Sequence, residues 1–308
     1  MIGRFRRANA SPEAAPPPEP AVPAADFTVD GLDRGDNALA ETLLADIEAI
    51  AETLDAGNAE MTRNHARRLA FSYARLPRGQ GGRLLDVGSD ENLVRVLRER
   101  LDYDVTVCAY APNAAPKVTT TKAGGEPTPT LRFDLEAHAL PGEPESFDAV
   151  LMLEVIEHMA VDPIFAMANV NLALKPGGLL VISTVNCASL RSVRKALNGS
   201  NPWLYPPYVP GRSTNRHNHE YSAVELTMLA KASGFEVLER RCEHLLNPPD
   251  TELHDALTRA GLRVKDPGDV TVLTCRKISD TLERYPAFLY RPAGDGVRMS
   301  ARDVVRHA

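Results

Sequence analysis

The sequence predicts an α/β fold, a mostly parallel sheet with helices on both faces, on three observations. Ala149–Leu153 is a short, bounded apolar run of the kind a buried strand makes. Asp162-Pro163 then opens an amphipathic helix, with Phe165, Met167, Val170, Leu172 and Leu174 recurring at mixed three- and four-residue spacing. Pro176-Gly177-Gly178 marks a turn, and Leu179–Val185 follows as a second buried strand. Strand, helix, turn and strand make a right-handed βαβ unit. Glu154, Glu157 and His158 stand at the carboxyl end of its first strand, the edge at which open α/β sheets take ligands.

Bulk properties narrow the class. A chain of 308 residues suits one large domain with extensions or two small ones. Its 44% apolar and 25% charged residues are ordinary for a globular protein. The formal net charge of −6 argues against a general nucleic-acid binder, so DNA is not an expected partner. Cys108, Cys187, Cys242 and Cys275 form no CxxC pair and read as small hydrophobes in a reducing cytosol. No apolar run has membrane-spanning length, and Met1–Ala10 lacks the apolar core of a signal peptide, so a cytoplasmic location is expected.

The elements follow in order. Residues 1–35 are rich in Ala and Pro and read as disordered or extended, because they bury too little apolar surface to offset ordering entropy. Residues 36–80 read as a helical extension: Leu39, Leu43, Leu44, Ile47, Ile50 and Leu54 mark one helix, and Leu69, Phe71, Tyr73 and Leu76 a second after Gly57-Asn58. Plain packing and a homodimer contact are both open uses of this extension. Arg83–Gly88 is a strand ending in a glycine turn, and Asn92–Leu101 is the helix after it, an arrangement that lets a ligand approach backbone N–H groups. Val105–Tyr110 and Leu131–Glu136 are further strands, and the Pro- and Thr-rich residues 111–129 between them read as a loop. Residues 188–216 interleave Arg191, Arg194, Arg212 and Arg216 with Trp203, Tyr205 and Tyr208. They read either as a lid that holds an acceptor or as a solvated helix followed by a Pro-rich loop. Ser222 caps a helix over Ala223–Ala232 with Glu225 at the capping-box position, Phe235–Arg241 is a strand, and Val270–Cys275 is the last strand, paired antiparallel. The domain is expected over 81–279, and residues 280–308 form a tail that could dock on it through Tyr285–Tyr290.

FDAVLMLEVIEH, LKPGGLLVIST and NRHNHEYSAVELTMLAKASGFEV together resemble the class I S-adenosylmethionine (SAM)-dependent methyltransferases over about Gly82–Lys277. The likeness is to type 11-like bacterial domains found with polysaccharide and envelope synthesis. It implies a Rossmann-like, mostly parallel seven-stranded sheet with an antiparallel last strand, plus the N-terminal helical extension. It also implies SAM as cofactor, held by Asp86, Gly88, Ser89, Tyr110, Asp134, Leu135 and Glu154, with Asp134 near the adenine amino group. Three positions depart from the family. Asp90 and Asn92 stand where further glycines are usual, and Ala109 stands where an acid normally accepts the ribose hydroxyls. Tyr110 is left to line the adenosine site or to act as a structural aromatic.

Methyl transfer to oxygen needs a base for the acceptor hydroxyl and alignment of the two reactants. His158, His217 and His219 are candidate bases, His219 first among them, with Glu157 beside them. Glu154, Glu157 and His158 also form an E-x-x-E-H array that would share one face of a helix. The array resembles that of small-RNA 2′-O-methyltransferases and, in part, of the O-methyltransferases of ubiquinone biosynthesis. On that resemblance Glu154, Glu157, His158 and His219 would hold Mg²⁺ or Mn²⁺. The alternative is that Glu154 touches the cofactor while Glu157 and His158 brace the sheet edge. The expected function is O-methylation of a small-molecule or sugar acceptor. The competing expectations are metal-assisted methylation of a diol or RNA end, and a non-catalytic scaffold with a degenerate SAM loop.

Overall fold

The computed structural model describes residues 37–88, 90–112, 114–208 and 216–290. The Ala/Pro-rich residues 1–35, Ser89, Arg212 and the end of the tail lie outside the described residues. Two helices, α1 (Asn37–Ala51) and α2 (Ala56–Tyr73), precede the sheet. They pack on one another through Leu43, Ile47, Ile50, Ala66 and Leu69, all buried, as the helical spacing of those residues requires. Asp55 caps α2 by accepting the Asn58 N–H.

Eight strands form one sheet: β1 (Arg83–Val87), β2 (Asp104–Tyr110), β3 (Lys117–Ala123), β4 (Glu126–Phe133), β5 (Phe147–Leu153), β6 (Leu174–Val185), β7 (Phe235–Glu243) and β8 (Val270–Lys277). Their order is β3-β4-β2-β1-β5-β6-β8-β7. Strands β4, β2, β1, β5 and β6 run parallel, and β8 is antiparallel to both β6 and β7. The apolar runs of β5 and β6 occupy the middle of the sheet, with Val150, Leu151, Met152, Leu180, Val181 and Ile182 fully buried. Helices cover the strands: α3 (Val94–Glu99), α4 (Pro163–Ala173), α5 (Leu190–Leu197), α6 (Ala223–Ala232) and α7 (Thr251–Arg259).

The eighth strand is β3, which lies in the segment expected to be a loop. Gly124 and Gly125 have φ of +62° and +89°, the pair of positive values that a tight two-residue hairpin turn needs. Thr119 and Thr121 pair with Thr130 and Thr128 across the antiparallel ladder. Pro127 and Pro129 remain compatible with the strand because Pro is tolerated where no ladder N–H is needed. Two further elements, α7 and the extension of β6 back through Pro176 to Leu174, also go beyond the sequence expectation.

The expected caps form. Asp162 accepts the Phe165 N–H at the start of α4, and Ser222 and Glu225 make a reciprocal capping box on α6. Residues 284–290 dock on the N-terminus of α4: Arg284 forks onto the Asp162 carboxylate, and the Tyr290 hydroxyl donates to Asp162 Oδ1 at 2.6 Å while accepting the Ile164 N–H at 3.0 Å. No helix among the described residues is long and apolar enough to cross a membrane.

Candidate active site at the carboxyl edge of the sheet

The expected cofactor side is built from the ends of β1 and β5 and from a face of α2. Gly88 turns the chain after β1 at φ +80°, and a Cβ there would lie 2.5 Å from Val155 Cγ2, so only glycine lets the two strand ends approach. Glu154 leaves β5 at φ +54°, a left-handed conformation that costs a non-glycine residue energy and recurs at functional sites. Its N–H donates to the Ser183 carbonyl at 3.0 Å, and its Oε1 accepts the Ser183 hydroxyl at 2.8 Å. Asp86, in β1, is buried. Its charge, with that of Asp90, adds to burial in pushing the Tyr73 hydroxyl well above its ordinary pKa, against the opposing Arg68.

Asp90 and Asn92, which stand where glycines are usual, hold one another within the loop. Asp90 Oδ1 accepts both the backbone N–H and the side-chain amide of Asn92 at 3.0 Å, and its Oδ2 accepts the Thr62 hydroxyl at 3.3 Å. The two side chains are bound to each other and to α2, and neither residue has positive φ.

Arg68 is the residue that sequence reasoning missed. It projects from α2 with its side chain 7% exposed, Nη1 lies 3.8 Å from Glu154 Oε1, and Nε and Nη1 make no hydrogen bond. A buried guanidinium with unused donors is costly unless something anionic completes it. His65, one turn earlier on α2, has its pKa lowered by burial and then by Arg68. The signal was present as Thr62, His65 and Arg68, three polar residues at three-residue spacing on one face of α2.

The other expected cofactor contacts are placed as follows. Asp134 sits just past β4, and its Oδ1 accepts the Glu136 N–H at 3.0 Å. Leu135 is buried, and its carbonyl accepts the Asn169 amide at 3.0 Å. Tyr110 ends β2 and is 49% exposed; Ala109 precedes it in register with Arg132. Glu136 accepts the N–H groups of Ala160, Val161 and Asp162 at 2.7–2.9 Å and so fixes the chain just after His158.

The E-x-x-E-H array does not lie on a helix. After Glu154 the chain makes only a 3₁₀ turn over Ile156–His158, which keeps Glu157 and His158 together and leaves Glu154 apart from them. Glu157 points beneath the edge, wholly buried; its Oε2 accepts the Thr184 hydroxyl at 2.9 Å, and its Oε1 has no hydrogen-bond partner. Burial, followed by the charge of Glu154, raises its pKa well above the usual carboxylate value. His158 Nδ1 faces the Arg216 carbonyl at 2.9 Å, and His217 Nδ1 faces Glu220 Oε1 at 2.8 Å. A carbonyl only accepts, so His158 carries its proton on Nδ1 and offers the Nε2 lone pair. Burial, more than the nearby His217, lowers the pKa of His158. The two rings meet edge to face with centroids 5.0 Å apart.

One donor atom each from Glu157, His158 and His217 lie within 4.8 Å of one another. Glu154 and His219 stand outside that trio. His219 turns away, with Nε2 3.8 Å from Glu225 Oε1 and its ring edge-on to Tyr221, while its backbone N–H donates to the Glu157 carbonyl at 3.2 Å. Spacing alone had no means of separating His217 from His219, two residues apart in an extended stretch. The difference comes from Glu220, which is buried and takes His217.

Comparison with known proteins agrees with this fold. The family described as a methyltransferase domain matches residues 59–240. A ubiquinone biosynthesis O-methyltransferase of Cereibacter sphaeroides is 32% identical over 162 residues, 53% of this chain and 63% of that protein. Its counterpart in Sinorhizobium fredii is 32% identical over 161 residues, 52% of this chain and 62% of that protein. The chain thus spans somewhat less than two thirds of the length of these relatives. Among solved structures, a chain from the complex of the Haloferax volcanii Trm112 methyltransferase activator with a methyltransferase superposes with a TM-score of 0.50 at 17% identity, covering 76% of this chain and 98% of that one. With the family match extending over more than half of its length and the strand order that carries the site, the chain belongs to the SAM-dependent class I methyltransferases.

Proposed function

We propose that the protein transfers the methyl group of SAM to a hydroxyl of a small-molecule or sugar acceptor. The observation that carries this reading is the meeting of two oriented imidazoles, His158 and His217, with the edge that bears Glu154 and the buried Arg68. The naming of the relatives as O-methyltransferases supports transfer to oxygen.

SAM supplies an electrophilic methyl group on a sulfonium. The residues present fit it: the unused Nε and Nη1 of Arg68 would meet the carboxylate of its amino-acid end, and Glu154 would face positive charge. On the acceptor side, the Glu220 carboxylate orients His217 through Nδ1, so that Nε2 can receive the hydroxyl proton. Holding the acceptor oxygen beside that atom converts an encounter between two molecules into a positioned reaction.

A second reading has its own observation. Glu157 Oε1 is buried without a hydrogen-bond partner, and two imidazoles with engaged Nδ1 atoms stand beside it, which is the donor set and outer support of a transition-metal site. Two nitrogens and one oxygen suit Mn²⁺ or Zn²⁺ better than Mg²⁺, which prefers oxygen ligands. An ion there would polarise the acceptor hydroxyl. The scaffold alternative is weakened by the internal bonding of Asp90 and Asn92 and by the unsatisfied Arg68.

Calorimetry with SAM and S-adenosylhomocysteine tests the reading. Saturable heat is expected for both ligands, and its absence at high ligand concentration with folded protein rejects the enzyme in favour of the scaffold. Methyl transfer that survives chelation and His217→Gln unchanged rejects the metal version and His217 as base together.

A further inference from the structure

A cavity of about 660 Å³ opens beside His217, between the end of α5 and the Arg216–Asn218 stretch. Trp203 and Tyr208 give it aromatic walls, Asn201 and Asn218 line it with amides, and among the described residues Arg216 is its one permanently charged lining group. No carboxylate among the described residues lines it. The Arg216 guanidinium lies 4.8 Å above the Tyr208 ring, and its Nε donates to Asn218 Oδ1 at 2.8 Å. Among the described residues its terminal nitrogens make no hydrogen bond, leaving a planar donor pair at the cavity wall.

The wall is built rather than draped. Glu220, with its side chain fully buried, accepts the Leu204 N–H at 2.6 Å and the Tyr205 N–H at 2.7 Å. The same carboxylate holds His217 at 2.8 Å, so one group fixes both the cavity wall and the imidazole at the cavity's inner end. The Lys195 ammonium ties the wall to α5 through the Trp203 and Leu204 carbonyls. A pocket that combines flat aromatic faces, amides and one guanidinium is matched by a hydroxylated ring with an apolar face and an anionic group.

We propose that this cavity is the acceptor site, and that its acceptor is a hydroxylated ring bearing a carboxylate, held by Arg216 with a ring hydroxyl directed at His217. The proposal rests on the methyltransferase reading and narrows its substrate class. Two sources share this chemistry, an acidic sugar and an aromatic hydroxy acid.

Trp203 is the chain's only tryptophan, so the single indole N–H signal of ¹⁵N-labelled protein reports this cavity alone. Methyl glucuronide, 3,4-dihydroxybenzoate and the neutral control methyl glucoside are titrated at millimolar concentration with S-adenosylhomocysteine present, and heats are measured on the same sample. The expected result is a saturable shift with one of the two anionic rings, none with methyl glucoside, and affinity weakened about tenfold or more in Arg216→Gln, as loss of a charge-assisted bond dictates. Which anionic ring acts distinguishes sugar from aromatic acid. Equal response to methyl glucoside, no response to either anionic ring, or undiminished affinity in Arg216→Gln overturns the proposal. S-adenosylhomocysteine heat with no indole shift removes this acceptor class and leaves the methyltransferase reading standing. An indole shift without that heat removes the methyltransferase reading and with it the acceptor role, leaving only a cavity that binds the anionic ring.

Discussion

Replacing Glu220 by glutamine changes one oxygen to an amide nitrogen in a fully buried position that faces three donors. Oε1 takes Tyr205 N–H and His217 Nδ1, and Oε2 takes Leu204 N–H. In the best rotamer the glutamine oxygen keeps the first two, and its NH₂ opposes the Leu204 N–H. One charge-assisted hydrogen bond worth about 1.5–3 kcal/mol is then lost, and an unsatisfied N–H adds about 1–3 kcal/mol where it stays buried. The wall can relieve part of this by opening locally, so about 2–4 kcal/mol is expected, divided between global stability and local opening. Urea denaturation reads the first part, and hydrogen exchange of the peptide spanning residues 199–208 reads the second. For each kcal/mol that appears as local opening, exchange there should quicken about fivefold. A variant within about 0.5 kcal/mol of the parent, with unchanged exchange in that peptide, refutes the view that Glu220 anchors the wall.

Three further predictions follow from the same geometry. Arg68→Met should weaken SAM binding by at least about tenfold in calorimetry while leaving the urea midpoint unchanged or higher, because a guanidinium with unused donors is removed from a buried site; unchanged SAM affinity would remove Arg68 from the cofactor site. Asp162→Ala strips the cap from α4 and leaves Arg284 buried without its carboxylate, and an urea midpoint lowered by an equivalent of about 3–5 kcal/mol is expected. Burial pushes the Cys108 thiol up to about 12, and burial with nearby acids pushes Cys187 up to about 11. A thiol with a raised pKa remains protonated below that value, so Ellman's reagent at pH 8 should label the native chain slowly, and label it rapidly only after denaturation.

The strands and caps that frame the carboxyl edge were more legible in the sequence than the side chains that meet there. Ala149–Leu153 and Leu179–Val185 could be read as strands because central parallel strands are buried on both faces and leave unbroken apolar runs. Asp162-Pro163 and Ser222 with Glu225 could be read as helix starts because capping is local chemistry. Strand β3 escaped because its exposed edge needs no apolar pattern; the available signal was Gly124-Gly125 between β-branched runs. The expected convergence of Glu154 with Glu157 and His158 assumed a helix, whereas Glu154 takes a left-handed conformation and leaves the trio to be completed by His217.

The central strands, the family and the candidate histidines were thus set by local pattern and by motif, which one chain carries within a few residues of itself. The tertiary structure decided the pairings between distant segments: Arg68 of the helical extension against Glu154, Arg284 and Tyr290 on Asp162, and Glu220 joining Leu204, Tyr205 and His217. These are buried polar contacts between separate elements. Their strength depends on exclusion from water and on geometry within a few tenths of an ångström, and neither is written in the spacing of residues along a chain.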